Sequence, residues 1–348
     1  MGKNKNIIKK SYFLFSAAAL LASVVFTYYY FLYTHEYPPG SSERIANFSA
    51  DKVFQTRILI TTIAKTLEPC LPLIKYVTQW AIPYPVDFQV LLQIINVLFI
   101  FSLVISTPFL LGEFNFHEKY FYSLLLFIPI TWNYIFINGF IDGAGLYYSY
   151  DLPSLAFFSI GLTLFLKHKW LWFYPTFILA CLNRESACFI SLAGVIILIN
   201  ISTIHPQKFL KRNSELLKHC IAQSTIWLLS RLILSYLFIN NPGAFFERPH
   251  SMLEFLKSIW TGEYHWAMRN PAWFLTIFAG TWIVPFFYLK HINEKGKRLL
   301  LVGLIYLLTL VFRSNMMEVR VYNELNIIIF VCSMLALKHK FTSNYATS

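Results

Sequence analysis

Arginines and carboxylates recur in short strings set among apolar and aromatic residues. Arg57 lies in Val53-Phe54-Gln55-Thr56-Arg57-Ile58-Leu59, and Asp142 and Asp151 flank Gly143-Ala144-Gly145-Leu146-Tyr147-Tyr148-Ser149-Tyr150. Further along come Asn183-Arg184-Glu185-Ser186 and Arg320-Val321-Tyr322-Asn323-Glu324-Leu325. A guanidinium suits phosphate, because its planar fork bonds two oxygens at once. A carboxylate beside it would deprotonate an acceptor hydroxyl, and a pair of carboxylates would hold a divalent metal on a leaving phosphate. The candidate bases are Glu43, Asp51 and Asp151. The candidates for substrate contact are Arg57, Asp142, Arg184, Glu185, Arg320 and Glu324.

The same residues have plainer readings. Arg184 and Glu185 would form a structural pair closing a helical turn, since an unpaired charge at membrane depth costs several kcal/mol. Arg320 and Glu324 stand four apart and suit an i,i+4 pair. Arg231, in Ser230-Arg231-Leu232, needs a partner such as Glu185. The charges Glu247, Glu254, Lys257 and Glu263 read as solvated loop residues. The aromatics Tyr147, Tyr148, Tyr150, Trp260, Tyr264, Trp266 and Trp273 suit sugar faces, and the membrane interface suits any one of them better.

Positioning these groups falls to helices in a bilayer. The 348 residues are 57% hydrophobic and only 13% charged, against about 25% charged in ordinary globular chains. Mean hydropathy is +0.53. Apolar stretches of roughly 20 residues, the length that crosses about 30 Å of hydrocarbon, recur along the chain. The expected class is all-α and polytopic, one integral membrane domain over 1–348. Ten spans are expected: Tyr12 to Tyr33, then about 86–111, 120–138, 153–166, 170–183, 187–203, 219–239, 272–289, 299–312 and 322–337. The first reads as a retained signal anchor, because its apolar run exceeds the 7–15 residues of a cleaved leader. Residues 34–84 form the first outward loop, holding an amphipathic interfacial piece from Ile58 to Trp80. Residues 240–271 form the second large outward loop.

The net charge of +12 follows from this topology. With the N-terminus inside, inward ends collect Lys3, Lys5, Lys9, Lys10, Lys119, Lys167, Lys169, Lys208, Lys211, Arg212, Lys218, Lys290, Lys295, Lys297, Arg298, Lys338 and Lys340. The inward carboxylates are Glu113, Glu118, Glu215 and Glu294. The positive-inside rule is satisfied with both termini cytoplasmic, and no nucleic-acid partner is needed to explain the basic balance. Five cysteines without a CxxC or Cys/His spacing point to neither a metal site nor a disulfide framework.

The string Val53 to Leu59, after a polar outward loop, resembles the "PFxYRxL" segment of bacterial polytopic proteins related to the GT-C glycosyltransferases. Tyr150-Asp151-Leu152-Pro153, Asn183 to Ser186 and Arg320 to Leu325 follow in the order such proteins use. The resemblance implies a bacterial inner-membrane enzyme that moves a sugar from a polyprenyl-phosphate donor to a lipid, glycan or protein acceptor on the outer side. It also implies an acidic base in the first outward loop. The Asp expected just upstream of Arg57 is not in its place, so Glu43 or Asp51 would stand in. Asp142 and Asp151 would assist the acceptor or a metal, and Arg57, Arg184 and Arg320 would hold phosphate. A transporter or flippase of a lipid-linked or anionic solute is the alternative, and a non-catalytic assembly subunit a third reading. Ionisable residues gathered on one side of the membrane favour the enzyme, because a carrier needs them throughout.

Overall fold

The computed structural model describes residues 2–78, 87–116, 119–141, 145–200, 206–244, 261, 271–313 and 318–345. Among the described residues the regular structure is helical apart from one pair of two-residue strands. α1 (Gly2–Tyr33) is continuous, in keeping with an anchor longer than a leader's apolar core. The chain then makes β1 (His35–Glu36), α2 (Ser42–Ala46), α3 (Lys52–Gln55) and α4 (Leu59–Leu67). Pro69 interrupts the helix in a 3-10 turn over Glu68–Cys70, and α5 (Leu71–Thr78) follows. α4 buries Leu59, Ile60 and Ala64, whereas Leu73 and Tyr76 on α5 are exposed. Exposed apolar surface on a short amphipathic piece is what an interfacial segment presents to headgroups.

α6 (Phe88–Glu113) starts at Asp87, whose carboxylate accepts from the backbone of Gln89 at 2.9 Å and Val90 at 3.1 Å. It ends in a Schellman motif: Asn115 is left-handed at φ 63°, and the Phe116 amide reaches the Leu111 carbonyl at 3.1 Å. α7 (Lys119–Tyr122), a 3-10 turn, α8 (Phe127–Thr131) and a π-helical stretch, Trp132–Ile141, form one apolar rod. β2 (Leu146–Tyr147) pairs in parallel with β1, His35 opposite Leu146 and Glu36 opposite Tyr147.

α9 (Asp151–Leu166) and α10 (Trp170–Asn183) form a tight hairpin. The turn is a second Schellman motif, with His168 left-handed at φ 53° and the Lys169 amide bonded to the Leu164 carbonyl. Arg184 is extended and ends α10; a 3-10 turn, Glu185–Ala187, leads into α11 (Cys188–Leu198). α12 (Pro206–Leu237), α13 (Ile283–Phe287), α14 (Glu294–Arg313) and α15 (Asn323–Tyr345) complete the set. α9 is the hub, packed by α6, α10, α11 and α15. Gly194 on α11 lets the Phe165 ring approach so closely that an added Cβ would lie 2.4 Å from it.

Among the described residues five helices are long and apolar enough to cross a membrane, as an integral membrane protein requires: Ser11–Tyr33, Phe88–Glu113, Lys119–Gly139, Gln207–Leu237 and Val319–Lys338. α9 and α10, with 16 and 14 residues, rise only about 24 and 21 Å at 1.5 Å per residue, less than the hydrocarbon thickness. The stretch 272–289, expected as a span, is not one helix. Phe278 and Ala279 adopt left-handed φ of 57° and 55°, Gly280 follows at 69°, and Pro271 and Pro285 bracket the break. Hydropathy alone does not register these breaks.

Candidate functional site

The α9–α10 hairpin brings Asp151, at the start of α9, beside Arg184, just past the end of α10. The same end of the bundle receives the starts of α11 and α15, and Arg57 from the loop between α3 and α4. Three helix N-termini add partial positive charge there. Six of the residues singled out in the sequence meet in this one cluster.

Arg57 grips Glu185 in a fork, Nε to Oε2 at 3.0 Å and Nη2 to Oε1 at 2.5 Å. Its third arm, Nη1, donates to the Tyr150 hydroxyl at 2.5 Å, and its guanidinium lies 4.6 Å from the centre of that ring. Arg184 donates to Asp151 Oδ1 at 3.1 Å. Arg320 stands 4.0 Å from Asp151 Oδ2, donates to Glu318 at 2.5 Å and covers the Tyr148 ring at 3.7 Å. Phe54, Tyr148 and Tyr150 stack in sequence at 5.2 and 5.3 Å, giving both arginines aromatic faces.

Neither local pairing expected from the sequence forms. Arg184 and Glu185, adjacent in the chain, point to different partners, because the extended Arg184 backbone turns successive side chains apart. Glu324 does not pair with Arg320; it accepts from the Ser186 and Tyr306 hydroxyls. Arg231 bonds the Cys181 carbonyl rather than the Glu185 carboxylate, while the Trp227 indole donates to the Glu185 carbonyl at 2.8 Å. The floor is sealed by amides: Asn183 donates to the Tyr150 carbonyl at 3.0 Å and Asn323 to the Asp151 carbonyl at 2.6 Å.

The candidate bases separate. Asp151 is 1% exposed and held between Arg184 and Arg320, so it serves as the partner that orients them, not as a base open to an acceptor. Asp51 lies where the first loop meets the segment after α12, beside Gly243. Glu43 is exposed and lines a cavity of about 220 Å³ with Lys65, Glu68, Asp87 and Gln89. Neither Glu43 nor Asp51 forms an ion pair with the three arginines. Asp142, Trp260, Tyr264 and Trp266 lie outside the described residues.

Tyr147, Tyr148 and Tyr150 are all buried rather than interfacial. The Tyr147 hydroxyl donates to Gln89 at 2.6 Å, and burial together with the nearby Glu36 carboxylate pushes its phenol well up, keeping it a donor. Among the described residues no three His, Cys, Asp or Glu side chains come together closely enough to hold a metal ion. Sequence reading missed Tyr306, Tyr134 and Asn323. Tyr134 bonds Asn323, and Tyr306 reaches both Glu324 and the Val321 carbonyl. A lone tyrosine inside an apolar run was the available signal, since a buried hydroxyl requires a partner. No protein-family model, curated protein or solved structure matches the chain.

Proposed function

We propose that the chain is a polytopic membrane glycosyltransferase of the bacterial inner membrane, with cytoplasmic termini. It would move a sugar from a polyprenyl-phosphate donor to a lipid, glycan or protein acceptor on the outer side. The observation that carries this reading is the meeting of Arg57, Arg184 and Arg320, from distant parts of the chain, at one end of the short helices. Their partners differ in access: the side chains of Glu185 and Glu318 are 44% and 23% exposed, and that of Asp151 only 2%. A donor phosphate would replace Glu185 and Glu318 on Arg57 and Arg320, exchanging one forked carboxylate contact for another anion of the same geometry. Arg184, fixed by Asp151, would hold the floor.

Glu43 suits the base, because it is exposed, lines a cavity and makes no hydrogen bond or ion pair with a described side chain. Its proton would come from the acceptor hydroxyl as that oxygen attacks the sugar carbon and the donor phosphate leaves.

The test is transfer from radiolabelled polyprenyl-phosphate sugars in membranes, comparing the parent with Glu43→Gln, Asp51→Asn and Arg57→Ala at matched expression. The reading expects transfer by the parent and a loss of about a hundredfold or more in Glu43→Gln. Loss in Asp51→Asn alone would move the base to Asp51. No transfer by the parent with any donor would leave the transporter reading in its place.

A further inference from the structure

The opposite, basic end of the bundle carries a second polar assembly, remote in function from the arginine cluster. α12 and α10 run side by side, and α12 presents Glu215, His219, Gln223, Trp227 and Arg231 at every fourth position, one helical face. Its upper members, Trp227 and Arg231, bond the ends of α10 and the turn beyond it, as described above. At the lower end the His219 imidazole stacks on the Trp170 indole, with ring centres 3.6 Å apart and planes 19° from parallel. His219 Nδ1 lies 2.7 Å from the Tyr174 hydroxyl, and Nε2 lies 3.6 Å from Glu215.

One turn above His219, Gln223 is fully buried, yet neither its amide oxygen nor its nitrogen has a hydrogen-bond partner. A buried amide without partners costs about 1–3 kcal/mol, so a second arrangement that satisfies it is to be sought. The Tyr174 hydroxyl is the polar group beside it, outside hydrogen-bonding geometry in this arrangement.

We infer that His219, Tyr174 and Gln223 form a binding site for one proton, with two hydrogen-bond polarities. With His219 neutral, the Tyr174 hydroxyl donates to Nδ1 and Gln223 is left unsatisfied. When a proton binds at Nδ1, that N–H donates to the Tyr174 oxygen, whose own hydrogen turns to the Gln223 carbonyl oxygen. One N–H bond forms, one hydroxyl rotates, and every other atom keeps its protons. The cation is then held on the Trp170 face and by Glu215, tightening α12 against α10.

The charged neighbours are few. Glu215 favours the added proton, and Lys218 and His168 oppose it. α10 contributes Trp170 and Tyr174. α11, packed on the other flank of α12, has no charged side chain in Cys188–Leu198; Glu185, in the turn before it, lies at the far end of the seam.

Tryptophan emission reads the site directly, because a protonated imidazole stacked on an indole quenches it. The protein in lipid nanodiscs is titrated from pH 8 to 5, and the difference between the parent and Trp170→Phe isolates one of the nine tryptophans. The expected result is quenching on acidification that vanishes in His219→Gln. In Gln223→Leu, which keeps all three rings, quenching moves to lower pH by about half to one unit, the loss of one ordinary hydrogen bond. Trp170 emission that stays flat, titrates in His219→Gln as in the parent, or keeps its midpoint in Gln223→Leu overturns the inference. Should His219→Gln not fold, Gln223→Leu decides alone.

Discussion

Arg184 and Asp151 form the floor of the arginine cluster, where both side chains are buried. Removing Arg184 leaves the buried Asp151 with only the longer contact to Arg320, 4.0 Å away, a loss of about 3–5 kcal/mol. Arg184→Ala is therefore expected to lower stability by that amount in denaturant or thermal unfolding in detergent. Arg57→Ala is expected to cost less, because its partner Glu185 is 44% exposed. The double substitution Arg184→Ala/Asp151→Ala should fall short of the sum of the two singles; additivity would mean the pair is not coupled. At this scale the sequence indicated the participants and misassigned their partners. Ionisable residues among apolar neighbours are conspicuous, so Arg57, Asp151, Arg184, Glu185, Arg320 and Glu324 could be named. Which carboxylate meets which arginine depends on contacts between residues as distant as Arg57 and Glu185, 128 positions apart, which local spacing does not contain. Glu43 and Asp51 were harder still, because a loop carboxylate looks the same whether it faces a cavity or bulk water.

Helix-scale packing rests on close approach between α9 and α11. Gly194 leaves room for the Phe165 ring, which is itself wedged against Trp170 and Phe173 at 5.1 and 5.3 Å. That ring has nowhere to retreat. Gly194→Val is expected to destabilise by about 1–3 kcal/mol through overpacking, read as a lower midpoint for loss of the monodisperse peak after heating. An unchanged midpoint would show that α11 can slide. Long apolar elements were legible because hydropathy over some twenty residues is a strong signal, and α1, α6 and the Lys119–Gly139 rod follow it. The stretch 272–289 has the same hydropathy, but its left-handed residues and prolines divide it. The His168 and Asn115 turns were also invisible, since neither is the glycine that usually marks a left-handed helix end.

For the molecule as a whole, the charge distribution predicts sides. Exposed Cys70 lies in the first loop, and Ser214 lies among the lysines that open α12. A membrane-impermeant maleimide is expected to label Cys70 in intact cells and Ser214→Cys only after permeabilisation. Labelling of both from the same side would overturn the topology argued from the lysines and arginines. The unequal helix lengths have a consequence for the lipid itself. α10 rises about 21 Å yet leaves Leu171, Trp172, Ile178 and Leu179 uncovered, so acyl chains around it would meet a wall shorter than the leaflet pair they belong to. Beside it α12, with 31 residues in its apolar helix, asks the same chains to stretch. Lipids passing from one helix to the next cross a step in thickness. A bilayer crossed by α10 would be drawn thin at the helix end where the arginines gather, and a headgroup there would sit deeper than beside α12.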